Sequence, residues 1–495
     1  MSAPLQKSSS KELEAFEERD ERAAEESVTL TPEERKRAER KLVRKVDARF
    51  SILIVIYILN YIDRNNASAA RTKGFEEDLG LKGREMDTLL SILYVGYILM
   101  QIPSNFLVQY TAKPSVVLPT AVLIWGGISA ATGATKSFGP ALATRFLLGF
   151  VEAAFFPGAL MTLASWYRKE ELGKRFTGLY CGSLISNSFG PLIAAGILGN
   201  MEGAGGIRAW RWLFYIEGAI TMFVALIAYF VLPDFPHNTW WGFSKAEKQL
   251  AIQRMTEDVG MKDDTSKVSN WTALKLALGD YKLWVMALAF TSMTIGLSFN
   301  QFFPQLTKTL GYGNTESLLL CAPPFAFAAI MAFCVSAHSD KTQERYLHIV
   351  IPLAVGIVGF IIAMTTHSFG PRYFSLFLMA QSYSGFVCFL AWVSSTFARP
   401  AMTRSIAIAA VNAFSQLGNI SGAYIFPSTW GPSYTKSYGI CISCFVFCIA
   451  VSTAHRFNLA RLNRKLAARD EDEVNGKEHA GLSAMDFPAG FRYVL

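Results

Sequence analysis

Long apolar runs alternate with short polar connectors along the whole chain. Apolar spans lie at 48–70, 87–110, 115–135, 139–166, 171–199 and 209–232, then at 282–309, 315–337, 346–366, 370–397, 402–428 and 434–456. Each reaches the roughly 20 residues that carry an α-helix across a hydrocarbon core of about 30 Å. Backbone groups find no water there, so such spans form helices that satisfy their own hydrogen bonds. A polar connector at 233–280 separates the sixth span from the seventh. The pattern predicts an all-α membrane protein with twelve transmembrane helices in two six-helix halves, 48–232 and 281–456. Tails at 1–47 and 457–495 flank them. Six spans, a long loop and six more is the order that paired inverted three-helix repeats produce.

Composition strengthens this reading. The 495 residues are 51% hydrophobic and only 17% charged, against about 25% charged in soluble domains. The net charge of +8 does not call for nucleic acid, because the basic residues flank the spans. Arg44, Lys45 and Arg49 precede the first; Arg168, Lys169, Lys174 and Arg175 separate the fourth from the fifth; Lys341 and Arg345 follow the eighth; Arg456, Arg461, Arg464 and Lys465 follow the twelfth. Such a bias marks the cytosolic side, so both tails and the 233–280 connector are expected there. The 1–47 tail alternates acids with bases, which predicts a solvated, partly helical segment. It has no apolar core, and no cleavable leader is expected. The seven cysteines fall in apolar stretches and the six histidines are scattered, so neither a metal nor a cofactor is expected. Walker loops, nucleophile elbows and HExxH are absent from the sequence, which gives no support to an ATP-driven pump or an enzyme.

Ionisable residues inside the spans carry the chemistry, since each costs about 2.5–3.5 kcal/mol at a helix centre. Span one contains Tyr61, Asp63 and Arg64; span four contains Arg145 and Glu152; span six contains Glu217. A spacing of seven puts Arg145 and Glu152 on one helix face. At 1.5 Å per residue, Asp63 rises about 20 Å from the cytosolic end of span one, a depth that Arg145 reaches from the other side. Packing alone is a poor account of charges of both signs at matched depths. A site that binds an anion through arginine and carries a proton on a carboxylate accounts for both. In the second half, Asn412, Gln416 and Asn419 form one polar stripe on span eleven, read either as interhelical glue or as substrate contacts. Asn300 and Gln301 lie close to Pro304, where a helix break would free backbone groups. Gln381, Tyr383 and Trp392 are offered by span ten.

An ordered set of motifs over about 45–465 resembles the anion:cation symporter family of the major facilitator superfamily, within it the fungal allantoate, nicotinate and pantothenate permease-like group. Asp63-Arg64-Asn65-Asn66 resembles that group's span-one signature, and Gln101-Ile102-Pro103-Ser104-Asn105 its end of span two. Arg145 through Gly158 resembles its span four, Trp166-Tyr167-Arg168-Lys169-Glu170 the following loop, Trp210 through Gly218 its span six, and Leu232-Pro233-Asp234-Phe235-Pro236 the start of its central loop. The resemblance implies a monomeric, multi-pass plasma-membrane permease whose partners are a small anionic substrate, protons and the lipid bilayer. It implies Asp63 and Glu152 as proton carriers, with Arg64 and Arg145 facing them or a substrate carboxylate. Tyr61, Tyr97, Trp392 and Asn412 match family pocket positions, with Asn300, Gln301, Gln381 and Gln416 as further candidates. The final Gly490-Phe491-Arg492-Tyr493-Val494-Leu495 resembles endings in the nicotinate-like subgroup.

Some positions depart from the family pattern. Gln109 and Tyr110 replace the acid–base pair usual after span two, and Ser336 replaces the leading glycine of the second loop copy. Gating is therefore expected at Asp340 and Lys341 and at Arg168 and Arg175. Gly190-Pro191 in span five resembles part of an exporter motif, so a metabolite exporter is the alternative to an importer. A non-transporting nutrient receptor is a lesser one, because the tails are short.

Overall fold

The computed structural model describes residues 31–239, 241–260, 270–397, 401–474 and 491–495. Helix α1 (Pro32–Arg71) begins with a capping box: the Thr31 hydroxyl accepts from the Glu34 backbone N–H while the Glu34 carboxylate accepts from the Thr31 N–H. The Thr31 N–H, and after it the Thr31 hydroxyl, which also donates to Oε2 at 2.8 Å, hold the Glu34 carboxyl below its ordinary range. The helix thus starts well before the expected span, and 32–47 is its base, helical and exposed over much of its length. Leu42 and Val46, four apart, bury one face. The acid–base alternation on its exposed face also ties this base to neighbouring elements. Lys45 pairs with Glu247 at 2.7 Å and Arg168 with Glu39 at 3.1 Å.

The other spans are α2 (Glu85–Thr111), α3 (Pro114–Thr132), α4 (Phe138–Trp166), α5 (Lys169–Asn200), α6 (Ala209–Val231), α7 (Tyr281–Lys308), α8 (Asn314–Thr342), α9 (Tyr346–Thr365), α10 (Phe369–Thr396), α11 (Ala401–Gly422) and α12 (Thr435–Val474). Among the described residues no strand occurs. Helices Lys245–Gly260 and Asn270–Gly279 lie in the connector. Packing follows a repeat of six. In the first half α1 packs on α5 and α6, α2 on α4, and α3 on α6; in the second α7 packs on α11 and α12, α8 on α10, and α9 on α12. The halves meet through α2 with α11 and α5 with α8, pairs related by the same shift.

Four spans are interrupted, α8 near its start at Leu320 and Cys321 and three others nearer their middles. α4 is interrupted between Glu152 and Phe155, where Pro157 supplies no N–H to the carbonyl of Ala153; that carbonyl accepts from Ser104 Oγ at 3.3 Å. α7 passes through a 3-10 turn at Leu297–Phe302 just before Pro304, as its sequence leads one to expect. The Gln301 carbonyl there takes a hydrogen bond from Ser68 of the other half. α10 breaks at Gln381 and Ser382.

The hydrogen bonds described between the halves lie in the part of the bundle away from the chain ends, here called the far side. Arg84 Nη2 donates to the Tyr424 carbonyl at 2.7 Å, and the Tyr424 hydroxyl lies 3.1 Å from Thr88 Oγ1 and 3.2 Å from Ser91 Oγ. Arg71 reaches Gln305 Oε1 at 2.9 Å, and Ser188 Oγ the Ala322 carbonyl at 3.1 Å. On the opposite side, residues Phe491–Leu495 lie across the ends of the second half's helices. Tyr493 exchanges two hydrogen bonds with the Asn463 side chain and receives one from Lys282 Nζ, while the Leu495 carbonyl accepts from the Arg345 N–H.

Candidate functional site

The charged residues of α1 and α4 converge between the halves. Arg64 Nε donates to Glu152 Oε2 at 2.6 Å, with the carboxylate fully buried and the arginine side chain 10% exposed. The guanidinium lies 5.2 Å from the Tyr61 ring centre and 4.8 Å from that of Tyr97, so two aromatic faces support the cation. The α4 break places Glu152 at the end of its helical segment, facing α1.

Arg145 is arranged differently. It is 2% exposed, and Nη1 donates to the backbone carbonyls of Asp63 at 3.2 Å and Arg64 at 3.4 Å. Its Nε and Nη2 have no hydrogen-bond partner. The Phe214 ring lies 5.6 Å from the cation. Two donors of a buried guanidinium are thus left over, and burying such groups unpaired is costly.

Asp63 shares the Arg145 layer through its backbone, yet no ion pair to its carboxylate is described. Ser129 of α3 donates to Oδ1 at 2.7 Å and Thr221 of α6 to Oδ2 at 3.1 Å. Sequence reasoning missed both hydroxyls, because isolated serines and threonines are ordinary in membrane helices. It also left Tyr94 out; this residue joins Arg64, Asn65, Arg145 and Gln301 around one pocket. An adjoining pocket has Asn65, Asn66, Gly190, Pro191 and Asn300 in its wall. The Gln301 side-chain amide has neither atom hydrogen-bonded, so both halves present unsatisfied polar groups to this region.

Other candidates do not join the cluster. Trp392 is fully buried, donates from Nε1 to the Val494 carbonyl at 3.1 Å and packs on His455, so it anchors the terminal segment. Gln381 donates to the Pro352 carbonyl at 2.8 Å, bracing α9 against the α10 break. Gln416 donates to Asn412 Oδ1 at 3.5 Å and accepts from Asn419 at 2.9 Å, linking the polar stripe along its own helix. Among the described residues the gating candidates make no ion pair from one half to the other; Arg168 also reaches Glu257 of the connector at 3.5 Å. Arg175 holds Asp47 at 2.9 Å, Arg168 holds Glu39, and Asp340 takes Arg345 Nη1 at 2.6 Å. Lys341 lies exposed beside Asp340.

Two quasi-equivalent six-helix halves around a buried polar centre define a membrane transporter of small molecules. The sequence model of the Major Facilitator Superfamily matches residues 53–423, and the chain belongs to that superfamily. Curated relatives include the MFS-type transporter cnsO of Penicillium expansum, 32% identical over 92% of this chain and 90% of that protein. The major facilitator-type transporter hxnP of Emericella nidulans is 29% identical over 88% of each. Among solved structures, an inward-facing bacterial homologue of the human lysosomal transporter Spinster superposes with a TM-score of 0.63 at 16% identity, covering 83% of this chain and 96% of that one. A D-xylose–proton symporter gives 0.59 at 15% identity, covering 80% and 96%. At such identities these two matches report the fold.

Proposed function

We propose that this transporter couples import of a small organic anion, a carboxylate nutrient or vitamin of the nicotinate, allantoate or pantothenate kind, to protons. The observation that carries the reading is Arg145, a buried guanidinium with Nε and Nη2 free beside the pocket. Those two donors suit a carboxylate taken in two parallel charge-assisted bonds. The Arg64–Glu152 pair supplies the coupling: a proton taken by Glu152 weakens its hold on Arg64, which then faces the anion as a second cation. Asp63, held by neutral hydroxyls, is the other proton carrier. The basic flanks support cytosolic chain ends and hence an external clasp; in this reading the protein works as a monomer in the plasma membrane.

Arg145→Lys tests this directly. An ammonium cannot reproduce the fork, so affinity should fall by roughly tenfold to hundredfold, the loss of one charged hydrogen bond of about 1.5–3 kcal/mol. The ligand would be a carboxylate selected by thermal-shift screening of the purified protein. Unchanged affinity in a folded variant would remove Arg145 from the site. An exporter remains the second reading, because Gly190 and Pro191 lie in the wall of the adjoining pocket. Acid-driven uptake into intact cells, as against outward flux, separates the two.

A further inference from the structure

The buried charges of the first half do not balance. Apart from Asp87, which pairs with Arg84 at the start of α2, the buried or nearly buried charges on α1, α4 and α6 are Arg64 and Arg145 against Asp63, Glu152 and Glu217, three acids to two bases. Glu217 is the surplus acid. It is 2% exposed and neither carboxylate oxygen has a hydrogen-bond partner. With no cation described beside it, an ionised carboxylate is costly to bury here, which favours the neutral acid.

Its position links it to the site. Thr221, which donates to Asp63, stands one turn along α6 from Glu217, and Asn66 stands one turn beyond Asp63 on α1. The Asn66 Nδ2 is also buried without a partner, and Asn66 lies in the wall of the pocket between the halves. Asp63, held by Thr221 one turn along α6 from Glu217, is the ionisable group that this hydrogen bond ties to the same stretch of α6. Of the other helices packed on α6, α3 contains no ionisable residue, and 187–200 of α5 contains none.

We propose that Glu217 is a further proton-binding residue, a far-side station that exchanges its proton with Asp63 and the Asn66 wall of the pocket. The proposal rests on the proton-coupled reading above. A proton leaving neutral Glu217 would leave a carboxylate for which the Asn66 amide is the available donor. With Asp63 neutral at that moment, two adjacent anions never coexist.

The test is infrared titration of the purified full-length protein, with hydrogen ions as the only ligand and heavy-water exchange to identify protonated carboxyl bands. The wild type should show a buried carboxyl band that titrates between mildly acidic and mildly alkaline pH, and Glu217→Gln, an isostere of the neutral acid, should lose it. Asp63→Asn should move that band's midpoint to lower pH, because removing a like charge makes the neighbour's proton easier to lose. This second variant keeps Glu217 and decides the matter should Glu217→Gln not fold. A Glu217 band that never titrates, or one indifferent to Asp63→Asn, overturns the proposal and leaves a permanently neutral structural acid. Titrating bands lost only in Glu152→Gln and Asp63→Asn would defeat this proposal while keeping the reading above. No titrating buried carboxyl in any variant would defeat both.

Discussion

Arg64 and Glu152 form a buried pair in which each partner is the other's chief compensation, so the two truncations should differ in kind. Arg64→Ala leaves an anion buried without its cation, a loss of about 3–5 kcal/mol for such a pair, visible as a lower melting temperature in detergent. Glu152→Gln keeps the shape and removes the titrating group. It should spare substrate exchange and abolish accumulation driven by a proton gradient; undiminished accumulation at several external pH values would remove Glu152 from the mechanism. Arg145 and Glu152 were legible in the sequence because a charge in an apolar span cannot be ignored. Their partners were less so. Span depth suggested Asp63 beside the arginines, but its carboxylate is satisfied by Ser129 and Thr221, residues too common in such helices to stand out. The Trp392 indole receives the terminal segment, and in a sequence an aromatic on such a helix looks the same whether it does that or lines a pocket.

Helix contacts make their own demands. α2 and α4 approach so closely at Gly149 that an added Cβ would run into the Leu93 carbonyl. Gly149→Ala should therefore cost about 1–3 kcal/mol through overpacking, read as a fall in melting temperature, and normal stability would show that the helices can part there. The segment Phe491–Leu495 ties α7, α10 and α12 through Lys282, Trp392 and Asn463. Its removal should lower stability of the second half, at about 1 kcal/mol for each hydrogen bond lost. Element types and order were readable from hydropathy, and the α7 break from Pro304. The long base of α1 was not. Its ion-pair partners Glu247 and Arg168 lie far along the chain, so local charge alternation could not reveal what it would pack against.

At the scale of the molecule, the far-side clasp at Tyr424 joins α11 to α2, and nothing in the sequence marked it, since a lone tyrosine near a span end is usual at an interface. Tyr424→Phe removes the hydroxyl that meets Thr88 and Ser91. It should raise the far-side reactivity of a cysteine placed at Asn65, which lies in the pocket wall; unchanged reactivity would mean that other contacts hold the halves. Orientation is testable in sealed cells, where cysteines at 245–260 should resist an impermeant external label. The central claim is tested most directly in proteoliposomes, by following a carboxylate selected in the thermal-shift screen with and without an imposed pH gradient. The account predicts accumulation above equilibrium when the side of entry is acidic, and only exchange in Glu152→Gln. Carboxylate uptake indifferent to the gradient in the wild-type protein would contradict it.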